Sequence, residues 1–138
     1  MTNIYEANIL DHYKHPRNFG RIENADIVFH DSNPLCGDDI TITLKHDGKG
    51  KIVEAKQFTQ GCAISQAGAS ILFEQLEGKK LHDALKLEKE IILEEFGELS
   101  VSRIKCALLA LNTVKKALVE HENEHKRHSL GELHDARD

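Results

Sequence analysis

Three cysteines, Cys36, Cys62 and Cys106, are the side chains of this sequence best suited to soft-metal or sulfur chemistry. An odd number leaves no closed set of disulfides. The separations of 26 and 44 residues are too long for a CxxC knuckle, so a shared site has to be assembled by the fold. A single cysteine is ordinarily a small buried hydrophobe, but the local contexts here point elsewhere. Cys36 lies in Asn33-Pro34-Leu35-Cys36-Gly37-Asp38, a turn between two strand patterns. Cys62 follows Gln60-Gly61 and opens a helical pattern, where free N–H groups and the helix dipole favour a thiolate. At about 100° per residue, Cys106 stands about 200° from both Ile104 and Leu108. It is therefore off the leucine stripe and on a stripe of small residues (Cys106, Ala110, Thr113, Ala117), in the first turns of a predicted helix beside Arg103 and Lys105.

Asp38 stands two residues after Cys36. Three thiolates and one carboxylate make four ligands, a set that suits tetrahedral zinc or an iron–sulfur cluster. No histidine adjoins any cysteine to serve instead. A divalent ion held by these four anions keeps a net negative charge, which Arg103 and Lys105 are placed to offset. Free lysine amines hold their proton up to a pKa of about 10.4, so Lys105 is expected as a cation beside the site, raising the thiolate fraction of Cys106, and not as a ligand.

The elements that must position these groups follow from periodicity. Residues 3–13 read as a short helix with Ile4, Ala7 and Leu10 on one face, broken by Pro16 and Gly20. Strands are expected at 25–30, at 39–45 with Ile40, Ile42 and Leu44 alternating against Thr41 and Thr43, and at 51–59 after a Gly-containing hairpin turn. Helices follow at 65–77 with Gly78 as a stop, as one or two short pieces in 81–96, and from 101 to about 124. Strands first and helices after predict a single α+β domain: a three-stranded antiparallel sheet with helices packed on one face. The domain is expected over 1–124, with a polar tail at 125–138.

The chain has 138 residues, a net charge of −5, 40% hydrophobic and 30% charged residues, which is enough for one core without disulfides. The acidic balance argues against nucleic-acid binding. No apolar run is long enough to span a membrane and the first residues do not read as a targeting signal, so a cytoplasmic protein is expected.

The motifs resemble those of the U-type iron–sulfur scaffold family, that of IscU, SufU and the N-terminal domain of NifU. The likeness rests on Tyr5 to Asn18 with its Asp-His-Tyr…Pro-Arg-Asn pattern, on Cys36-Gly37-Asp38, on Gly61-Cys62-Ala63-Ile64-Ser65 and on Arg103-Ile104-Lys105-Cys106-Ala107. It runs from about residue 4 to about 119. The resemblance implies a scaffold that accepts sulfur from a cysteine desulfurase, builds a [2Fe-2S] cluster and passes it to apo iron–sulfur acceptor proteins. It implies Cys36, Asp38, Cys62 and Cys106 as ligands of the cluster, or of Zn²⁺ or Fe²⁺ at the same site. Cys106 and Cys36 become candidate persulfide acceptors with Lys105 beside them, Tyr5 a contact of a homodimer, and a frataxin-like protein a further partner. Lys105 replaces the histidine of many IscU-type members, as in SufU-like ones, yet the SufU insertion between the second and third cysteines has no room in this chain. Leu99-Ser100-Val101-Ser102-Arg103 departs from the Leu-Pro-Pro-Val-Lys signal, so the dedicated Hsp70-type chaperone is not expected as a partner.

Two other readings compete. A zinc-bound, SufU-like sulfurtransferase would use the same residues without holding a cluster. His121-Glu122-Asn123-Glu124-His125 matches the H-E-x-x-H zinc metalloprotease pattern, but its polar flanks read as a solvated helix, on which His128 extends the same face. His12 and His15 are expected at the surface or in a turn.

Overall fold

The structure, a computed structural model, describes residues 4–33 and 37–133, with side chains over 5–33 and 37–124. The elements in order are α1 (Ile4–Lys14), β1 (Ile27–Asn33), β2 (Asp38–His46), β3 (Ile52–Gln60), α2 (Ala63–Glu74), α3 (Leu81–Leu85), α4 (Glu90–Leu93), α5 (Val101–Ala107) and α6 (Leu109–Leu133). The strands form one antiparallel sheet in the order β1-β2-β3.

The alternation read in the second strand sets the layers. Ile40, Ile42 and Leu44 are fully buried on one face, joined by Ile27 and Ala55 from the neighbouring strands. Helices α2 and α6 lie on that face and on each other, with α1 and α5 flanking α2 and α3 against α6. Leu72, Phe73, Leu76, Leu111, Val114 and Leu118 fill the space between sheet and helices; each such burial contributes about 1.5–3 kcal/mol. This is the α+β arrangement with helices on one face that the residue pattern predicts.

A strap, the segment between α1 and β1, pairs with the free edge of β3 and then passes over the opposite face at Thr43. Gln57 N–H donates to Asn18 O (2.9 Å), Gly20 N–H to Gln57 O (2.9 Å) and Ile22 N–H to Thr43 Oγ1 (3.0 Å). Thr43 is consequently buried although it points away from the helices. Asn18 takes a left-handed φ of 55° and donates from Nδ2 to Ala55 O (2.8 Å), a conformation that a short polar side chain tolerates. The Pro-Arg-Asn pattern is thus a clasp onto β3.

Four expectations are revised. Strand β1 continues to Asn33 through the polar Asp31-Ser32-Asn33, because each of these residues pairs with β2. Helix α2 stops at Glu74, short of Gly78: Ile52 N–H donates to Lys79 O (2.7 Å) and Gly78 N–H to Ile52 O (2.8 Å), so pairing with β3 pulls the chain out of the helix. The long C-terminal helix is two, broken at Leu108. His12 is not at the surface but 6% exposed, because its Nδ1 lies 2.7 Å from Ser70 Oγ, which also accepts from Arg17 N–H (2.8 Å). That trio ties α1 and the strap to α2.

Burial, seconded by the Arg17 charge, holds the His12 imidazole below its usual value of 6.5. The unfolded chain therefore takes up a proton more readily than the folded one, and stability falls as pH drops from about 6.5 through the lower folded value. We expect the urea midpoint to decline between pH 7.5 and 5.5, and the decline to be shallower in His12→Gln. At pH 7.5 that variant should lose about 1 kcal/mol with the Ser70 contact. Parallel pH profiles of the two proteins would remove His12 from the acid response.

Candidate metal centre

The site forms where the first residue of β2 meets the junction of β3 and α2. Asp38 shares the inward register of Ile40 and Ile42 and is 1% exposed. A buried carboxylate needs partners, and Cys62 N–H supplies one, donating to Oδ1 at 2.9 Å. The approach is so close that a Cβ on Gly61 would stand 2.1 Å from that oxygen. Gly61 also takes a φ of 147°, so both space and backbone require glycine there.

Cys62 is the N-cap of α2, with extended backbone (φ −70°, ψ 164°), and its Sγ accepts from Ser65 N–H at 3.4 Å. Ser65 Oγ lies 3.3 Å from the sulfur and donates to Cys62 O at 3.1 Å. The thiol itself is exposed. Ser65 escaped the sequence reading; its signal is the capping interval, three residues after a polarisable N-cap side chain.

Cys106 arrives from the other side on α5. It sits in the last turn of a seven-residue helix, not in the first turns of a long one, so the favourable N-terminal dipole expected for it does not apply. What places it is packing: a Cβ on Gly68 would meet Ala107 O at 2.3 Å, so the backbones of α2 and α5 touch. Cys106 is half-buried at this contact. The rest of its small-residue stripe, Ala110, Thr113 and Ala117, is buried on α6, where Thr113 Oγ1 donates to Leu109 O (2.7 Å).

Ligand atoms of Asp38, Cys62 and Cys106 all lie within 4.8 Å of one another, the one such group of three among the described residues. Cys62 Sγ is 3.7 Å from Asp38 Oδ2. With zinc–sulfur and zinc–oxygen bonds of about 2.3 and 2.1 Å, the sulfur-to-oxygen edge of a tetrahedron is about 3.6 Å. The donor set therefore fits one divalent ion with little rearrangement. A two-iron core attaches its ligands to two separate metals and asks for a wider spread. As it stands the Cys62 thiol donates across this gap to Oδ2, a hydrogen bond whose place a metal ion would take.

Of the other residues singled out in the sequence, Cys36 lies outside the described ones. Lys105 and Arg103 are exposed on α5, and Lys105 makes no ion pair among the described residues. His121 is half-buried beside His46, Glu122 is exposed, and the His125 side chain is not among those described. Tyr5 is 43% exposed and rests on Gly97, where a Cβ would meet its ring at 2.9 Å. A cavity of about 600 Å³ runs from Tyr5 and Leu10 to Ile64, Leu99 and Arg103, next to the site. No described helix is long and apolar enough to cross a membrane.

Comparison with known proteins agrees with this geometry. The family model of the NifU-like N-terminal domain matches residues 4–128. The Archaeoglobus fulgidus protein named iron-sulfur cluster assembly scaffold protein IscU 1 is 36% identical over 118 residues, 86% of this chain and 76% of that one. The Bacillus subtilis zinc-dependent sulfurtransferase SufU is 36% identical over 141 aligned positions, 88% of this chain and 94% of that one. A crystal structure of SufU from Fervidobacterium islandicum AW-1, described as a candidate iron–sulfur cluster assembly scaffold of the SUF system, superposes with a TM-score of 0.68 at 33% identity, covering 83% of this chain and 96% of its own. With a match over most of its length, and with Asp38, Gly61, Cys62 and Cys106 of its motifs meeting at one centre, the chain belongs to the NifU-like N-terminal domain family.

Proposed function

We propose that this protein is an iron–sulfur cluster assembly scaffold, which receives sulfur from a cysteine desulfurase, combines it with iron as a [2Fe-2S] cluster, and passes the cluster to apo acceptor proteins. The observation that carries the reading is the family match over residues 4–128, with Asp38, Cys62 and Cys106 of its motifs gathered at one centre. Cys36, two residues before Asp38 in the sequence, is proposed as the fourth ligand. The domain proposed for this work is 1–124, with 125–138 as a polar extension.

In this reading Cys106 or Cys36 attacks the outer sulfur of the desulfurase persulfide. The sulfur–sulfur bond of the donor breaks, its thiolate leaves, and the persulfide now resides on the scaffold. Two sulfane sulfurs, two Fe²⁺ and two electrons from an external reductant balance one oxidised [2Fe-2S] core. Asp38 supplies the hard oxygen ligand in a sulfur-dominated set, the bond most readily exchanged. Lys105, a neighbouring cation, favours the thiolate of Cys106.

A second reading, a zinc-dependent sulfurtransferase, is favoured by one observation: the donor spacing fits a single ion. Zinc bound by Cys36, Asp38, Cys62 and Cys106 would hold the thiols ionised between sulfur transfers. Apo protein incubated anaerobically with desulfurase, cysteine, Fe²⁺ and dithiothreitol separates the two. Growth of visible cluster absorbance, transferable to apo-ferredoxin, supports the scaffold. Stimulated sulfide release by the zinc form without any absorbance would replace it with the sulfurtransferase.

Each of Cys36→Ser, Cys62→Ser and Cys106→Ser should sharply reduce zinc retention from one ion per chain, measured by metal analysis after dialysis; full stoichiometry in all three would move the site elsewhere. Asp38→Ala should hold its cluster longer and transfer it more slowly. Because that change also removes the acceptor for Cys62 N–H, at a cost of about 1–3 kcal/mol, Asp38→Asn is the cleaner probe: it keeps a carbonyl for the bond and loses the charge. Transfer at the wild-type rate in both variants would take Asp38 out of the mechanism. Lys105→Gln should keep zinc near one per chain while slowing alkylation of metal-free Cys106; loss of zinc in this variant alone would make Lys105 a ligand.

A further inference from the structure

We infer a second metal site at the far end of β2, in which His46 and His121, joined by His82, bind a divalent transition-metal ion of the imidazole-preferring kind. Strand β2 runs from Asp38 to His46, so the two ends stand about 27 Å apart. The first carries the sulfur and carboxylate donors. At the second, His46 from the sheet meets His121 from α6, with ring centroids 5.4 Å apart and planes at 65°.

Three observations point to a metal. First, the spacing fits. Two imidazoles bound to one ion at about 2.1 Å, at a tetrahedral angle, place their ring centroids about 5.3 Å apart. Second, His46 is oriented as ligating histidines are. Its Nδ1 lies 3.0 Å from the Asp47 carbonyl oxygen, which can only accept, so Nδ1 is the donor and Nε2 is the nitrogen left for a metal. Third, both rings line a cavity of about 420 Å³ that also takes in His82, over a floor of Leu81, Leu85 and Leu118. His82, exposed on the short helix α3, does not stand within 4.8 Å of both other donors as it is placed, and would join them as a third ligand through a change of rotamer. Neutral imidazoles without thiolates select Ni²⁺, Cu²⁺ or Zn²⁺ over the hard ions. The site does not depend on the H-E-x-x-H spacing: the ring that meets His121 here is His46, from across the fold. It is independent of the function proposed for the sulfur centre.

The test uses the full chain with zinc already bound at the thiol site, and Ni²⁺ as the probe, since Ni²⁺ does not oxidise thiols. Calorimetric titration at pH 7.5 should show one Ni²⁺ bound per chain, with zinc retained by metal analysis. His46→Gln and His121→Gln should each weaken that binding at least tenfold, and the double variant should abolish it. In the wild-type protein, sub-stoichiometric Ni²⁺ should broaden the imidazole NMR signals of His46, His82 and His121 together, a readout that needs no variant to fold. Unchanged affinity in both single variants would overturn the site and leave the two rings an edge-to-face contact only. Broadening confined to His125 and His128 would equally overturn it, assigning the ion to the helix motif.

Discussion

A buried carboxylate accepting a backbone N–H fixes the functional end of this molecule. Asp38 is shut away from water, and its bond from Cys62 N–H is what makes that burial tolerable. The same bond sets where α2 starts and demands glycine at position 61. Helix α2 is in turn the element on which α1, α5, α6 and β3 all pack. One group thus orients the central helix, points its N-cap thiol toward the sheet end, and places a hard oxygen donor beside that thiol. Its structural and chemical roles cannot be separated by deleting the side chain.

The two contacts that complete the arrangement are made by small residues on opposite sides of α2. Ser70 receives both His12 and the Arg17 N–H, drawing in α1 and the strap. Gly68 admits the α5 backbone to contact at Ala107. Neither carries sulfur chemistry, yet without the second Cys106 could not approach Cys62. The Asp-His-Tyr…Pro-Arg-Asn pattern, which resembles a functional signature, is for this reason read as architecture: Asp11 pairs with Arg17, His12 meets Ser70, and Asn18 donates to β3.

The legible parts of the fold were those where one side-chain period dominates. Alternation in 39–45 located the central strand and its buried face, whereas the small stripe, set apart from the leucine stripe in the sequence, proves buried at Ala110, Thr113 and Ala117. Boundaries set by partners were not legible. Asp31-Ser32-Asn33 has no strand pattern of its own, and is strand because β2 pairs with it. The break at Leu108 has no proline or glycine to announce it; Leu108 N–H still donates to Ile104 O (3.0 Å), and Asn112 N–H to Leu108 O (2.9 Å), so the helical bonds almost continue through the bend. At the candidate site, residue type and context singled out Asp38, Cys62 and Cys106, which the fold brings together. Ser65 and the structural duty of Asp38 were not, since both depend on which backbone N–H faces which side chain. Cys106 was singled out partly for a wrong reason, a helix start that proves to be a last turn.

The uneven exposure of the three described donors has a chemical consequence for a cargo held among them. Asp38 is sealed against Gly61, Cys106 is half-buried under α5, and Cys62 is open to solvent. An incoming acceptor thiolate can therefore approach from the Cys62 side, where a sulfur ligand is replaced by another sulfur ligand. The oxygen bond on the buried side is the weakest of the set, and the Cys62 N–H can take up the carboxylate as the metal leaves. Asp38 would keep its position as such a bond is exchanged, because the Cys62 N–H holds Oδ1 while Oδ2 is the oxygen that faces the thiol.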